Sequence, residues 1–564
     1  MDKKTIWIVV VSLLLLLAGQ TLTDRLFPPV PKTAGAPPAE TAATGAPPAH
    51  AEAPPPVPVL IPALPPVAPE SALPAPTIEL SNDLVRVVVT GRGGGIQIIE
   101  LLRHREDGSG HVQLNRESPV PALSLLGVDG ADAGALFAME RTDARTVVLR
   151  ATAADGALVT KKLSLGDGYL MQGSVEISPA PTPSVLSLVV GTIIPNHLEP
   201  STFLGLDLWA GGKYQQRTIW DTEGTLIFKK QKLEKKQNQE RLETRWLAVK
   251  NQFFTMVLTP STNAVALGFT REAAKAPPEW TAKVPPQGLT GFLTLQPGAG
   301  STNGAARFEF QYYAGPKEYD RLAALGEGQD EIMQFGFWGA ISVVLLKSMK
   351  FFYRLIPSYG LAIILITIVI KMLFWPIQAK SIKSMKEMQK YQPLMAKLRE
   401  KYKDDPQRLN QETMKLFKEH KINPMAGCLP MLVQIPVFFA LFAMLRSSVE
   451  LRGAGFLWIN DLSQPDTIFH LPFFGLPVNP LPLLMGVSML WQMKLTPSTG
   501  DPKQQQMMTY MPLIMLVFFY SASSGLTLYW TVQQLLSIAQ QWWSLRQPDA
   551  AALPKSPALP GKTK

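Results

Sequence analysis

The chain has 564 residues, 46% hydrophobic and 17% charged, with a formal net charge of +10 and one cysteine, Cys428. A single cysteine excludes an intrachain disulfide, so an exported domain must rely on its own apolar core. The positive balance is no nucleic-acid signal: residues 379–425 alone hold twelve Lys/Arg against six Asp/Glu, between two apolar runs. That is where the positive-inside rule puts basic residues. The six histidines (His50, His104, His111, His197, His420, His470) are scattered without ligand spacing, and no metal or cofactor site is expected.

Ile6 to Ala18 is apolar and follows Met1-Asp-Lys-Lys4, which resembles a signal peptide. Cuts after Ala18 or Gly19 place leucine where a small residue belongs, and no cysteine lies nearby. The expectation is an uncleaved signal-anchor span within residues 1–27, with the N-terminus cytoplasmic. Residues 28–76 are rich in proline and alanine and predict an extended linker.

From 77 to 320 the pattern is β. Val85, Val87 and Val89 alternate with Arg86 and Val88, Gly93-Gly94-Gly95 breaks the run, and Ile96 and Ile98 resume it. No Gly-Lys-Ser/Thr follows the glycines, so a strand turn is expected rather than a phosphate loop. Residues 145–152 and 157–165 flank Asp155-Gly156, a hairpin turn. A basic, helix-like excursion is expected at 228–241. Short strands over this length predict a large antiparallel sandwich.

Residues 331–356 mix apolar positions with Lys347, Lys350, Arg354 and interface-type aromatics. An amphipathic helix lying at the membrane surface fits this pattern, and so does a second anchor span. Apolar runs follow at about 358–378, 427–446, 477–495, 507–522 and 525–543. Several fall at or below the roughly 20 residues that cross a bilayer, which suggests local thinning. With the anchor the total is six spans, and alternation puts the basic segment 379–425, the loop 494–506 and the tail 546–564 inside.

The basic segment has its own apolar period. Met385, Met388, Tyr391, Leu394, Leu398 and Tyr402 form one stripe, and Leu409, Thr413, Leu416, Phe417 and His420 a second. Between them Asp405 can cap a helix that Pro406 begins. A cytoplasmic helical hairpin results, either a plain solvated pair or a contact surface for ribosomes, nascent chains or anionic lipid.

Lys371 interrupts the first core span. A lysine at mid-bilayer costs roughly 2.5–3.5 kcal/mol on insertion scales. It can snorkel to the cytoplasmic interface near Lys380 or face a hydrated cavity. Thr367 lies four residues earlier on the same helix face. Gln434 sits between Pro430 and Pro436, and the last span holds Tyr529, Thr531, Gln533 and Gln534. These side chains can line one hydrated groove or make ordinary interhelical hydrogen bonds. No core span contains an Asp or Glu to answer Lys371. No HExxH, GxSxG or P-loop is present, nor paired aspartates within a span, so an enzyme is not expected. Asp207, Asp221 and Glu223 could imitate a sugar-enzyme site. A transporter would need internal repeats or a paired counter-charge.

Asn423-Pro424, Gly427-Cys428, Pro430, Gln434 and Pro436, together with Ser524-Gly525 and Tyr529-Trp530, resemble the core-span motifs of the YidC/Oxa/Alb family of membrane protein insertases. The hairpin around Pro393, the six-span layout and the large external domain are similar to its Gram-negative type. The resemblance implies a polytopic α-helical membrane protein: a five-helix core, a periplasmic all-β super-sandwich and a cytoplasmic hairpin. It implies a groove closed towards the periplasm, where a positive residue attracts acidic or polar parts of an incoming chain. The family's usual arginine is Lys371 here, which keeps the charge and loses the planar fork. Thr367 and Trp530 match positions facing the client helix. The candidate groove residues are Lys371, Thr367, Gln434, Tyr529, Trp530 and Gln533. Implied partners are newly made membrane proteins, the lipid bilayer, the Sec translocon and the ribosome. The short tail with Lys555, Lys562 and Lys564 weakens the last of these. The implied location is the bacterial inner membrane with both termini cytoplasmic.

Overall fold

A computed structural model describes residues 75–106, 110–116, 118, 120–180, 185–195, 203–218, 231–232, 237–273, 286–298, 301, 304–420, 429–471, 477–495 and 502–546. The expected anchor, nearly all of the linker, and the tail beyond Arg546 lie outside them. The chain divides into two compact units after Met333.

In the first unit the period-2 pattern sets the strands. Val85, Val87 and Val89 are buried in β2 (Val85–Thr90), which pairs on one side with β1 (Thr77–Ser81) and on the other with β3 (Gly95–Arg105). The triple glycine is the β2–β3 turn, with Gly93 and Gly94 at positive φ. At Gly94 a Cβ would strike the Phe137 ring, so glycine is required there for both conformation and space. β4 (His111–Leu114) completes this four-stranded sheet.

Fourteen strands form the second sheet: β5 (Leu125–Leu126), β6 (Ala138–Arg141), β7 (Thr146–Thr152), β8 (Leu158–Leu165), β9 (Leu170–Ser178), β10 (Leu186–Ile193), β11 (Gly205–Ala210), β12 (Lys213–Thr218), β13 (Gln231–Lys232), β14 (Gln237–Lys250), β15 (Phe254–Pro260), β16 (Ala264–Ala273), β17 (Gln287–Leu295) and β18 (Ala306–Pro316). Its main path runs β5-β10-β17-β16-β14-β15-β18-β9-β8-β7-β6. The Asp155-Gly156 hairpin forms as expected, joining β7 to β8. Pairing is antiparallel except for the short parallel β12–β13 contact. Every residue of β10 is buried, so both of its faces are covered. Side chains fasten the two sheets together. Asn115 donates to Ile96 O and accepts from Thr192 N, and Lys161 on β8 donates to Gly94 O and Leu123 O.

The helix-like excursion expected at 228–241 needs correction. Residues 219–230 and 233–236 lie outside the description, but 237–241 belong to β14. Residues 237–241 pair with β16, and that pairing overrides their helix-favouring Gln, Glu and Arg.

In the second unit, α2 (Gly339–Leu355) follows a short α1 (Tyr319–Leu325) that closes the first. The surface helix expected at 331–356 therefore starts later. Gln334 and Gly336 have positive φ, which no continuing right-handed helix allows. Ile341, Val344, Leu345 and Met349 are buried, and Ser342 Oγ donates to Ala440 O at 2.9 Å. Residues 341–346 are buried all round, whereas Phe351 and Leu355 are exposed near the C-terminal end, so burial divides along the helix rather than between two faces.

The remaining helices are α3 (Tyr359–Lys390), α4 (Gln392–Lys401), α5 (Pro406–Glu419), α6 (Leu429–Ser447), α7 (Pro480–Leu495), α8 (Pro502–Phe519) and α9 (Ser524–Arg546). α3 runs twelve residues past its expected end at 378. The first arm of the hairpin is broken at Tyr391, where Pro393 opens α4 because proline cannot donate to the preceding turn. Asp405 caps α5 by accepting from Arg408 N at 3.0 Å, with Pro406 at the first position, as expected. Tyr391 and His420 stack with centroids 4.4 Å apart and close the base of the pair.

Among the described residues one helix, α3, is long and apolar enough to cross a membrane, while 432–447 and 510–519 are shorter apolar stretches. α7 has 16 residues, about 24 Å at the usual rise. α9 packs against α3, α6 and α7, and α2 against α3 and α6.

Candidate functional site

The inward face of α3 repeats at spacings of four and three: Thr367, Lys371, Phe374, Gln378 and Ser381 are all buried. One helical stripe thus places a lysine among apolar neighbours. Lys371 is 3% exposed. Its Nζ donates to Gln378 Oε1, two turns along the same helix, and to Ser537 Oγ of α9 at 2.8 Å. Ser537 Oγ in turn donates to Gln533 O at 2.8 Å, so the hydroxyl offers the lysine only lone pairs. The lysine does not snorkel out to water. Its amine stops inside the bundle, answered by neutral oxygens.

Tyr529, Gln533 and Ser537 recur every four residues and share one face of α9. Gln434 Nε2 of α6 donates to Tyr529 OH at 2.5 Å, and Tyr529 is 1% exposed. Gln533 Oε1 and Trp530 Nε1 are buried without a hydrogen-bond partner. Unmet buried polar atoms are uncommon and costly; the indole N–H is free to donate and the amide oxygen free to accept.

The six candidate residues are gathered unequally. Lys371 reaches only the backbone carbonyl of Gln533, through Ser537, and not its side chain, whereas the side chains of Gln434 and Tyr529 are joined directly. Trp530 packs against Phe438 and Phe519, with centroids 5.1 and 5.3 Å away. Thr367 is fully buried and its hydroxyl donates to Ile363 O of its own helix at 2.7 Å, so it faces packing rather than an open groove. Gln378 and Ser537 were not among the expected site residues. The available signal was spacing: Gln378 is seven residues from Lys371, and Ser537 is four from Gln533.

One end of the bundle is sealed by the segment between α6 and α7. Ser524 N donates to Gln464 O at 2.7 Å and Gly525 N to Leu462 O at 2.8 Å. Asp466 Oδ2 accepts from Leu481 N at 2.7 Å, placing a carboxylate at the start of α7, where the helix dipole favours it. Burial holds the Asp466 carboxyl above the usual range, opposed by hydrogen bonds from Trp458 and Leu481. The Phe456 ring fills the space a Cβ would take at Gly360, the second residue of α3. The opposite end bears Lys380, Lys383, Lys386 and Lys390, and Lys386 Nζ donates to Ser544 O of α9.

Large apolar side chains stand exposed around the helices: Met372 on α3, Phe439 on α6, Val487 and Trp491 on α7, and Ile514 and Val517 on α8, the last 78% exposed. Large apolar side chains exposed on four helices fit surroundings less polar than water.

Among its described residues the β unit presents no comparable site. Asp207 is fully buried on β11 and paired with Lys250, which rules it out as an accessible sugar-binding carboxylate. Burial raises its carboxyl above the ordinary range, partly offset by the Lys250 charge, and pushes the neighbouring Tyr214 hydroxyl well up. Asp221 and Glu223 lie outside the described residues.

Residues 351–551 match the family described as 60Kd inner membrane protein, and residues 77–347 the YidC periplasmic domain. The chain is 35% identical over 494 residues to the membrane protein insertase YidC of Geotalea daltonii, covering 84% of this chain and 87% of that protein. It is 50% identical over 246 residues to the same-named protein of Syntrophobacter fumaroxidans, covering 43% of this chain and 44% of the relative. A crystal structure of an active YidC insertase with its first transmembrane domain resolved is similar at a TM-score of 0.35 and 17% identity, covering 83% of this chain and 93% of that one.

Proposed function

Because the chain belongs to the YidC family of membrane protein insertases, we propose that it inserts its clients along the polar stripe between α3, α6 and α9, with Lys371 as the attracting charge. The protein is a membrane protein insertase with a periplasmic β-sandwich domain and a helical inner-membrane core, and it is not an enzyme. Finer features belong to the proposal: six spans, both termini cytoplasmic, and a cytoplasmic hairpin of α4 and α5. The basic residues at the unsealed end of the bundle support that orientation. The β domain serves as a scaffold of super-sandwich type.

The observation that carries the reading is Lys371, a lysine buried among apolar helices whose hydrogen-bond partners among the described residues are neutral. An acidic or polar segment of a client meets an unneutralised charge there, which lowers the cost of bringing that segment into the membrane. Gln434, Tyr529, Trp530 and Gln533 supply polar contacts along the path. Thr367, matched to a client-facing position by family resemblance, holds the packing beneath it. The client's apolar segment then moves into lipid, and burial of about twenty apolar residues drives the step. Short α7 and the exposed apolar belt fit a locally thinned bilayer. The Sec translocon is proposed as a partner for longer clients, and the ribosome as a weaker one through the basic surface of the hairpin.

The test is the purified protein in liposomes, challenged with a single-span client bearing an acidic tail and scored by protease protection. Protection of the tail without ATP or another protein is expected. Protection no greater than that of empty liposomes would exclude insertion by this chain alone and leave a role beside the Sec translocon or in folding.

A further inference from the structure

The partners of Lys371 are chemically specific. Gln378 Oε1 is a carboxamide oxygen, and Gln378 is itself 9% exposed. Ser537 Oγ has committed its proton to Gln533 O, so it can only accept from the lysine. The two acceptors come from different helices, α3 and α9, and no carboxylate pairs with the lysine among the described residues. A glutamate in place of Gln378 would fit the same volume and accept the same hydrogen bond. The β unit uses that other solution: there the buried Lys250 is answered by Asp207.

Neutral acceptors and carboxylates do different things to a buried ammonium. Both replace part of its lost hydration, but only the carboxylate cancels its charge. A permanently paired lysine would present no net field to an arriving acidic group, and that group would have to displace an ion pair. A lysine left without acceptors would be poorly tolerated.

We infer that Gln378 and Ser537 are positioning residues that solvate Lys371 without neutralising it. They hold its ammonium between α3 and α9, release it to a client carboxylate, and receive it back when the client leaves. The selectivity of the site for acidic segments thus depends on the neutrality of these two side chains as much as on the lysine. The inference rests on the reading of Lys371 as the client-attracting charge.

The experiment uses the full chain in liposomes and two single-span clients that differ only in their external tail, one acidic and one with the acids replaced by Asn and Gln. Gln378→Glu places a fixed carboxylate beside the lysine from α3, and Ser537→Asp does so from α9. Each is expected to lower insertion of the acidic-tailed client about tenfold, a shift of about 1.4 kcal/mol, with the neutral-tailed client unchanged within twofold. Ser537→Thr, which keeps a hydroxyl and adds no charge, is expected to retain the preference for the acidic client over the neutral one. The neutral client doubles as the control for folding. If Gln378→Glu and Ser537→Asp leave the acidic-to-neutral ratio unchanged, or depress both clients equally, the two residues are merely structural and the inference is overturned. Lys371→Met separates that failure from the other: if it does not lower insertion of the acidic client, the reading of Lys371 itself fails.

Discussion

Lys161, Lys250 and Lys317 are buried in the β unit as completely as Lys371 is among the helices, yet their charges are met differently. Lys161 donates to the backbone carbonyls of Gly94 and Leu123, and Lys317 to those of Asn251 and Gln252. Lys250 is paired with the Asp207 carboxylate. Backbone carbonyls are fixed by the strands and turns that carry them, and a carboxylate cancels the charge outright. The partners of Lys371 are side chains, neutral and able to rotate. The β-domain lysines fasten sheets and turns, whereas Lys371 is held in a way that can be undone. Burial alone does not mark a lysine as functional; the proposal for Lys371 rests on its acceptors being neutral side chains.

The largest effect is expected at the paired lysine. Asp207→Ala leaves Lys250 buried without its carboxylate and should destabilise the β unit by about 3–5 kcal/mol, read as earlier thermal or proteolytic unfolding. Asp207→Leu combined with Lys250→Met should recover most of that loss. Equal damage in the single and double variants would show that the pair does more than answer its own charges.

A pH series separates Lys161 from the others. Burial pushes its amine from the ordinary 10.5 down to about 7. Between those values the unfolded chain binds a proton that the folded one does not, so stability rises with pH across the window and is flat below about 7. Amide exchange in β8 of the intact protein should slow between about pH 7 and 10 by an amount worth about 2–4 kcal/mol, after correction for intrinsic exchange. Lys161→Met should lack that rise, and a parallel profile in the variant would assign the effect to other groups.

For Lys371 the expected changes are in activity rather than stability. Lys371→Glu and Lys371→Ala should lower insertion of acidic-tailed clients about tenfold, roughly 1.4 kcal/mol, while Lys371→Arg stays close to the unaltered protein. Equal insertion by all four proteins would place this lysine with the structural ones. The smallest effect belongs to Thr367→Val. The hydroxyl is spent on Ile363 O, so insertion should change less than about twofold and stability by less than about 1 kcal/mol. A larger loss of insertion would mean that clients meet a face of α3 that is buried in this structure.

Much of this organisation could be read from the sequence because it depends on local period. The β2 valines, the Asp155-Gly156 turn, the Asp405-Pro406 helix start and the apolar cores of α3, α6, α7, α8 and α9 all follow from spacing. Lys371 stands out because it is the one charged residue in the apolar run 358–378. What escaped was decided by contacts between distant segments. The start of β14, residues 237–241, looks helical by composition and is a strand because β16 pairs with it. The start of α2 depended on positive φ at Gln334 and Gly336, which composition does not announce at a glutamine. Gln378 was overlooked as the last residue of an expected span, although α3 continues past it, and Ser537 because its value lies in a lysine 166 residues away.

The fastening of α9 at Ser524 and Gly525 has a mechanical consequence. A helix of 23 residues is about 34 Å long; it is tied at its first tip and again near its last, where Ser544 O accepts from Lys386 Nζ, so once that far contact opens it can tilt about a pivot at the sealed end. Ser537 lies about 18 Å from the pivot and Tyr529 about 6 Å. Tilting α9 by about 10° relative to α3 and α6 would carry Ser537 about 3 Å, more than a hydrogen bond can stretch, and Tyr529 only about 1 Å. The same small rotation would therefore let go of Lys371 while Gln434 keeps its hold on Tyr529, so the order in which the contacts part is written in their distances from the pivot.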